Sequence, residues 1–237
     1  MSVFASLVEH LADLLQPLFG AGAAAAAIVL FTALVRLLVL PLSLAAARGQ
    51  RARAALQPRI AELRRKHARN PEKLQRAVLE LHAEEKVSPL SGCLPSLCQV
   101  PAFFLLYHLF SSTTIGGRAN ALLTHELFAA PLGGRWADAL ESGGVFGDAG
   151  LVYVALFAFV TVVAAFGYRR TKRMTATDPA MAAASGEQVP GLGAVNRVLP
   201  FMSFFTLISV AVVPLAAALY VVTSTTWSAV ERAVLYR

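Results

Sequence analysis

Charge is scarce in this chain. Asp, Glu, Lys and Arg make up 15% of its 237 residues, where an ordinary soluble domain carries about 25%. Cysteine is nearly absent. The two present, Cys93 and Cys98, stand in an apolar stretch with no histidine or further cysteine beside them. That spacing gives neither a disulfide framework nor a zinc site, and the pair reads as small buried hydrophobes. The phosphate-cradling pattern G-x-x-x-x-G-K-[ST] is missing, which excludes a nucleotide-driven pump of that type. H-E-x-x-H and G-x-S-x-G are missing too. The histidines, at 10, 67, 82, 108 and 125, do not cluster. No Asp or Glu lies within the apolar runs, where a proton relay would need one. The sequence therefore points to no enzyme, no metal site and no cofactor. The N-terminus lacks a basic region, a short apolar core and a small-residue cleavage site, and no lipobox cysteine follows. The first apolar span is expected to do the targeting and to remain.

What the chain has in quantity is apolar sequence, 57% by residue. The long runs predict an all-α, polytopic membrane protein with five transmembrane helices and a cytoplasmic helical hairpin. Residues 1–20 carry Phe4, Leu7, Val8, Leu11, Leu14 and Leu15 at helical spacing, with Glu9, His10 and Asp13 off that face. They read as an interfacial amphipathic helix, or as turns leading into the first span. Residues 21–47 are long enough for transmembrane helix 1. The character then changes abruptly. Residues 48–88 hold eleven basic against five acidic side chains. Leu56, Ile60 and Leu63 form one apolar stripe and Leu74, Val78 and Leu81 another. Between them Asn70 can cap a helix whose first position suits Pro71. Two antiparallel helices joined near Asn70 are expected; a merely solvated basic loop would not need matched stripes.

Transmembrane helix 2 is expected over 89–112. Segment 113–148 is Gly-rich, carries Arg118 and Arg135 against Glu126, Asp138, Glu141 and Asp148, and reads as an extracytoplasmic loop. Transmembrane helix 3 follows at 149–168, then a basic cytoplasmic loop at 169–197. The last apolar stretch is too long for one untilted span and has basic residues at both ends. Pro214 divides it, giving transmembrane helix 4 at 198–213 and helix 5 with a cytoplasmic C-terminus at 214–237. Basic residues mark the cytoplasmic side, so five spans put the N-terminus outside and the C-terminus inside. The net charge of +7 then faces anionic lipid or RNA-rich partners; direct DNA binding is not expected.

Arg36 stands out in "TALVRLLVLPL". A guanidinium at the bilayer centre costs roughly 2.5–3.5 kcal/mol on insertion scales, and it stays protonated. It lies eleven residues short of Ala47, about 16 Å along a helix, too far to reach water by snorkelling. Other polar groups fall in the spans: Ser96, Gln99 and Tyr107 in the second, Ser203, Thr206 and Ser209 in the fourth. Tyr220, Thr223, Ser224, Trp227 and Ser228 form a stripe on the fifth. Intramembrane polar residues face the bundle interior or water. If these helices turn such faces together, they enclose a polar cavity with one positive charge. The plainer reading of each hydroxyl is helix packing or a bond to its own backbone, and of Gln99 an interhelical hydrogen bond.

Leu34 to Phe110 resembles the YidC/Oxa family of membrane protein insertases. "LVRLLVLPLSL" is similar to the family's first core span. "NPEKLQ", "SPLSGCLP" and "QVPAFFLLY" are similar to its cytoplasmic hairpin and second span, and "LPFMSFF…LYVVTS…ERAVLYR" follows more loosely. The resemblance implies an insertase, not an enzyme, that passes transmembrane segments from cytoplasm to bilayer through a polar, positively charged intramembrane groove. It implies Arg36 and Gln99 as groove residues, with Ser96, Tyr220, Thr223, Ser224 and Trp227 around them. Where many members carry Tyr-Trp, this chain reads Tyr220-Val221, with Trp227 two turns later. The implied partners are nascent membrane proteins and the lipid bilayer, with the Sec translocon and the ribosome as candidates for the 48–88 hairpin. The implied location is a bacterial plasma membrane, and an excess of arginine over lysine, 17 to 4, fits a GC-rich bacterium. The rival reading is a small anion or solute transporter using Arg36. It would call for internal repeats or paired broken helices, and neither is visible. A passive assembly factor would leave Arg36 without a role.

Overall fold

In hydrocarbon a backbone must satisfy its own N–H and C=O groups, and a helix does so within one segment. The computed structural model, which describes residues 2–87, 94–177 and 199–235, is mostly helical. Its helices are α1 Ser2–Phe19, α2 Ala23–Lys66, α3 Pro71–Glu84, α4 Leu94–Ser111, α5 Trp136–Gly143, α6 Asp148–Thr177, α7 Phe205–Val212 and α8 Leu215–Leu235. Short 3-10 turns occupy Gly20–Gly22, Ala121–Thr124 and Leu199–Phe204. Among the described residues two stretches are long and apolar enough to cross a membrane by length and composition, Val3–Gly49 and Asp148–Lys172.

Two helices run past the boundaries that hydropathy suggests. α2 does not stop near residue 47; its 44 residues are more than twice the ~20 that cross a bilayer. The sequence after Ala47 changes its solvent preference but not its conformation, because Ala, Leu, Arg and Gln are all good helix formers. α6 likewise continues through Arg169, Arg170 and Lys172 to Thr177, where a loop from residue 169 is expected. α7, by contrast, is short. Six 3-10 residues and eight α-helical ones rise only about 24 Å, less than the ~30 Å hydrocarbon core.

The chain divides into two compact units. The first is drawn from Met1–Leu38, Pro101–Gly167 and Phe201–Val234, the second from Val39–Val100, Tyr168–Pro200 and Leu235–Arg237. In the first, one core joins Ala24, Ala25, Ala27 and Ile28 of α2, Leu106, Leu109 and Phe110 of α4, Tyr153 of α6, and Leu215, Ala216, Ala217 and Tyr220 of α8. Small side chains let helix backbones approach closely, which is how helices associate where lipid removes the hydrophobic drive. α1 adds Ala5, Val8 and Ala12 to this core. Leu7, Leu14 and Leu18 lie on another face and are exposed, the last two at 74% and 78%.

Segment 113–148 is built rather than loose. It holds two antiparallel ladders, β1 Thr114–Ile115 with β2 Arg118–Ala119 and β3 Glu126–Leu127 with β4 Ala130–Pro131. Gly116 and Gly117, both at positive φ, supply the turn between β1 and β2 that residues with a Cβ resist. Leu122, Ala130 and Leu132 enter the main core. Asn120 is 4% exposed. Its Nδ2 donates to the Leu109 and Ser112 carbonyls at the end of α4, 2.9 and 3.0 Å away, while its Oδ1 accepts from the Leu122 amide at 3.3 Å.

The break at Pro214 lacks turn-forming residues because its partners come from this segment. Val213 is extended. The free amides that open α8 then donate to segment carbonyls, Leu215 to Gly134 at 2.9 Å and Ala216 to Leu132 at 2.8 Å. Gly134 O also accepts from the Tyr153 hydroxyl at 2.7 Å. The segment thus ties α4, α6 and α8 together at one end.

In the second unit Asn70 caps α3 by accepting from the Lys73 amide at 3.0 Å, and Pro71 takes the first helical position. Leu56 and Ile60 of α2 bury against Leu81, with Leu63, Val78 and Val87 around them. Arg59 and Glu85 form an exposed ion pair, the kind that contributes little to stability.

Candidate functional site

The site lies in the first unit. α2 places Arg36 thirteen residues after Ala23, well inside the apolar part of the helix. Its side chain is half-buried. One guanidinium nitrogen donates to the hydroxyl of Ser224 on α8. The hydroxyl of Tyr220, one turn earlier on the same face, lies within reach of that Ser224 hydroxyl and of the Arg36 charge. The Tyr220 ring is 1% exposed and sits between aromatics of α4, 5.8 Å from Phe103 and 5.9 Å from Phe110 between ring centroids. Phe103 stacks in turn on Tyr107 at 5.9 Å. Aromatic packing fixes the ring one turn before Ser224 on α8. Sequence reasoning marked Arg36, Ser224 and Tyr220 but missed Phe103 and Phe110; aromatics four and seven apart from Phe103 were the available signal.

The remaining polar residues do not all join this cluster. Thr223 turns its hydroxyl back to the Leu219 carbonyl at 2.8 Å. With Trp227 it lines an apolar cavity of about 430 Å³ together with Val29, Leu156, Phe159 and Val222. Ser203 and Thr206 line a separate cavity of about 100 Å³ with Thr225, Gly167 and Arg232, between α6, α7 and α8. Ser209 bonds its own helix at Phe205, and Ser228 donates to the Ser224 carbonyl at 2.9 Å. The reason is angular. Successive helix residues diverge by about 100°, so a stripe five residues wide fans across more than one neighbour. Ser96 and Gln99 are on α4, but their side chains lie outside the described residues.

The arrangement suits exchange of an anionic group. Arg36 offers a planar fork of donors, and its Ser224 partner is neutral. A carboxylate would bring an opposite charge and can accept two parallel N–H bonds from that fork. No covalent step is suggested by these groups. Among the described residues no three His, Cys, Asp or Glu side chains gather to hold a metal ion.

Comparison with known proteins places the sequence in a family. The model of the 60Kd inner membrane protein family matches residues 14–237. The chain belongs to the 60Kd inner membrane protein family, also called YidC/Oxa. The family description and the apolar stretches Val3–Gly49 and Asp148–Lys172 agree on a membrane protein. The membrane protein insertase YidC of Clostridium perfringens (strain 13 / Type A) is 45% identical over 98 residues, covering 41% of this chain and 41% of that protein. The protein of the same name from Polynucleobacter asymbioticus is 38% identical over 101 residues, 42% of this chain and 18% of the relative. That from Anaeromyxobacter sp. (strain Fw109-5) is 39% identical over 101 residues, 43% and 18%. The aligned part thus spans about two fifths of the first relative's length and under a fifth of the other two.

Proposed function

We propose that this YidC/Oxa-family chain is a membrane protein insertase. It passes transmembrane segments of nascent membrane proteins from the cytoplasm into the bilayer, and it acts by binding rather than by catalysis. One observation carries the reading: Arg36, deep in an apolar helix, is held by a neutral hydroxyl of another helix and not by a carboxylate. A permanent charge kept this way has affinity to spare for an acidic group that arrives and leaves.

The mechanism follows from the costs. A polar tail crossing hydrocarbon loses several kcal/mol for each unsatisfied group. A polar groove around Arg36, Ser224 and Tyr220, to which the family resemblance adds Gln99 and Ser96, shortens that crossing. An acidic part of the tail exchanges for Ser224 on Arg36, where low dielectric strengthens the pair. The apolar segment then partitions into lipid, and its burial drives the step. Thr223 and Trp227, beside the apolar cavity, offer the greasy side of the path. The structured 113–148 segment closes the outer end. In this account the chain crosses the membrane five times with its N-terminus outside and C-terminus in the cytoplasm. The basic 48–88 pair of helices meets the client there, with the Sec translocon and the ribosome as further partners; its charge raises the on-rate.

The test is site-specific photo-crosslinking. Probes at Gln99, Tyr220 and Thr223, with Arg36 kept and short acidic-tailed membrane proteins translated into vesicles carrying this chain, should all crosslink to the nascent chain. No crosslinks, with insertion the same in vesicles lacking the protein, would overturn the reading. Radiolabelled solute uptake by the same vesicles would identify a transporter instead.

A further inference from the structure

Arg36 has a second partner available on the face of α8 that holds it. Glu231 lies seven residues after Ser224, two helical turns and about 10 Å further along the same side of the helix. It is half-buried and close enough to act on the Arg36 charge. Among the described residues no other carboxylate acts on that charge. Glu9 and Asp13 are on α1, Glu126, Asp138 and Glu141 in the 113–148 segment, and Asp148 at the first residue of α6. Glu231 makes no salt bridge within 4 Å among the described residues. Its neighbour Arg232 is a like charge to Arg36, but the Arg232 Nε is turned to the Ser228 carbonyl, 3.1 Å away.

We propose that Glu231 is a built-in counter-charge that competes with acidic client segments for Arg36 and so sets how acidic a segment must be to be captured. At rest the seam carries a cation and an anion two turns apart, not a bare cation. The guanidinium, on its flexible stem, leans between Ser224 and Glu231. A client carboxylate entering from the cytoplasmic end meets Glu231 first and is repelled, and it binds only if it displaces the internal attraction. A client with one weakly placed acid loses this competition, while a cluster of acids wins it. At an effective dielectric near 20, a charge pair separated by roughly the 10 Å of two helical turns interacts strongly enough to change binding about tenfold.

The effect on clients rests on the insertase reading; the coupling between Arg36 and Glu231 does not, so two arms separate them. In the first, the full-length chain is put in lipid nanodiscs and its thermal midpoint measured for wild type, Glu231→Gln, Arg36→Gln and the double variant. The proposal expects Glu231→Gln to lower the midpoint when Arg36 is present and to leave it unchanged or raised when Arg36 is Gln. Additive effects would overturn it. In the second, photo-crosslinking yield is titrated with nascent chains whose tails carry zero, one or three acids. Glu231→Gln should raise capture of the one-acid tail about tenfold, leave the zero-acid tail unchanged, and lose the difference at high salt. An equal rise for all tails, or none for the one-acid tail, would overturn the competition. Failure of wild type to capture any tail would instead count against the insertase reading, with the first arm still deciding the coupling.

Discussion

Asn120→Asp should be more damaging than Asn120→Ala, although Asp is the closer match in shape. The Asn120 side chain donates two hydrogen bonds to carbonyls at the end of α4 and accepts one from Leu122. Alanine removes all three. At about 1 kcal/mol net for each bond, the loss is about 3 kcal/mol, less whatever water recovers. Aspartate keeps the acceptor but loses both donors. It sets a carboxylate oxygen against the Leu109 and Ser112 carbonyl oxygens in a position 4% exposed, so it adds a buried charge without a partner. The expected order of stability is wild type, then Ala, then Asp. Limited proteolysis within 113–148, read alongside thermal unfolding in nanodiscs, measures it: both variants should be cut faster, and Asp fastest. Equal protease resistance of Asp and wild type would refute the claim that this side chain pins the segment to α4.

Three further perturbations probe other joints. Tyr153→Phe removes the hydroxyl that donates to Gly134 and should cost about 1 kcal/mol in thermal unfolding, with little change in helix content by circular dichroism. In Gly150→Ala the new Cβ would meet the Gly144 carbonyl oxygen at 2.3 Å and that of Val145 at 2.7 Å; the start of α6 should shift, detected as faster amide exchange over 144–152. Ile60→Ala opens the small Leu56–Ile60–Leu81 core and should cost about 2–4 kcal/mol, seen as earlier loss of protection in α3 while α8 keeps its own.

The residues differ in how openly they announced these roles. Asn70 and Pro71 predicted the start of α3 because capping is a local matter, settled within four residues. Pro214 predicted the break before α8 for the same reason. α2 and α6 run on past the hydropathy boundaries near 47 and 168, because hydropathy reports which solvent a helix prefers and the backbone ignores that boundary when the next residues also favour helix. Segment 113–148 gave little warning of its order. Its stability comes from Asn120, Leu132 and Gly134 reaching α4 and α8, contacts that no local pattern encodes. Within the candidate site, Arg36 was conspicuous by its cost, and the stripe on α8 by its spacing. The stripe could not say which member meets Arg36, because Thr223 and Ser224 point about 100° apart. Glu231 bears no mark of its own in the sequence; its register, seven residues after Ser224, is what places it on the same side of α8.

The most direct measurement of the central claim is insertion by proteoliposomes containing wild type, Arg36→Lys or Arg36→Ala, each with clients whose translocated tails are acidic or neutralised to Gln. Lysine keeps the charge but lacks the planar fork. The account predicts full insertion of acidic tails by wild type, partial insertion by the Lys variant, loss with the Ala variant, and little difference among the three for neutral tails. Equal insertion of acidic tails by wild type and Arg36→Ala, with both proteins folded, would contradict it and leave Arg36 a structural residue.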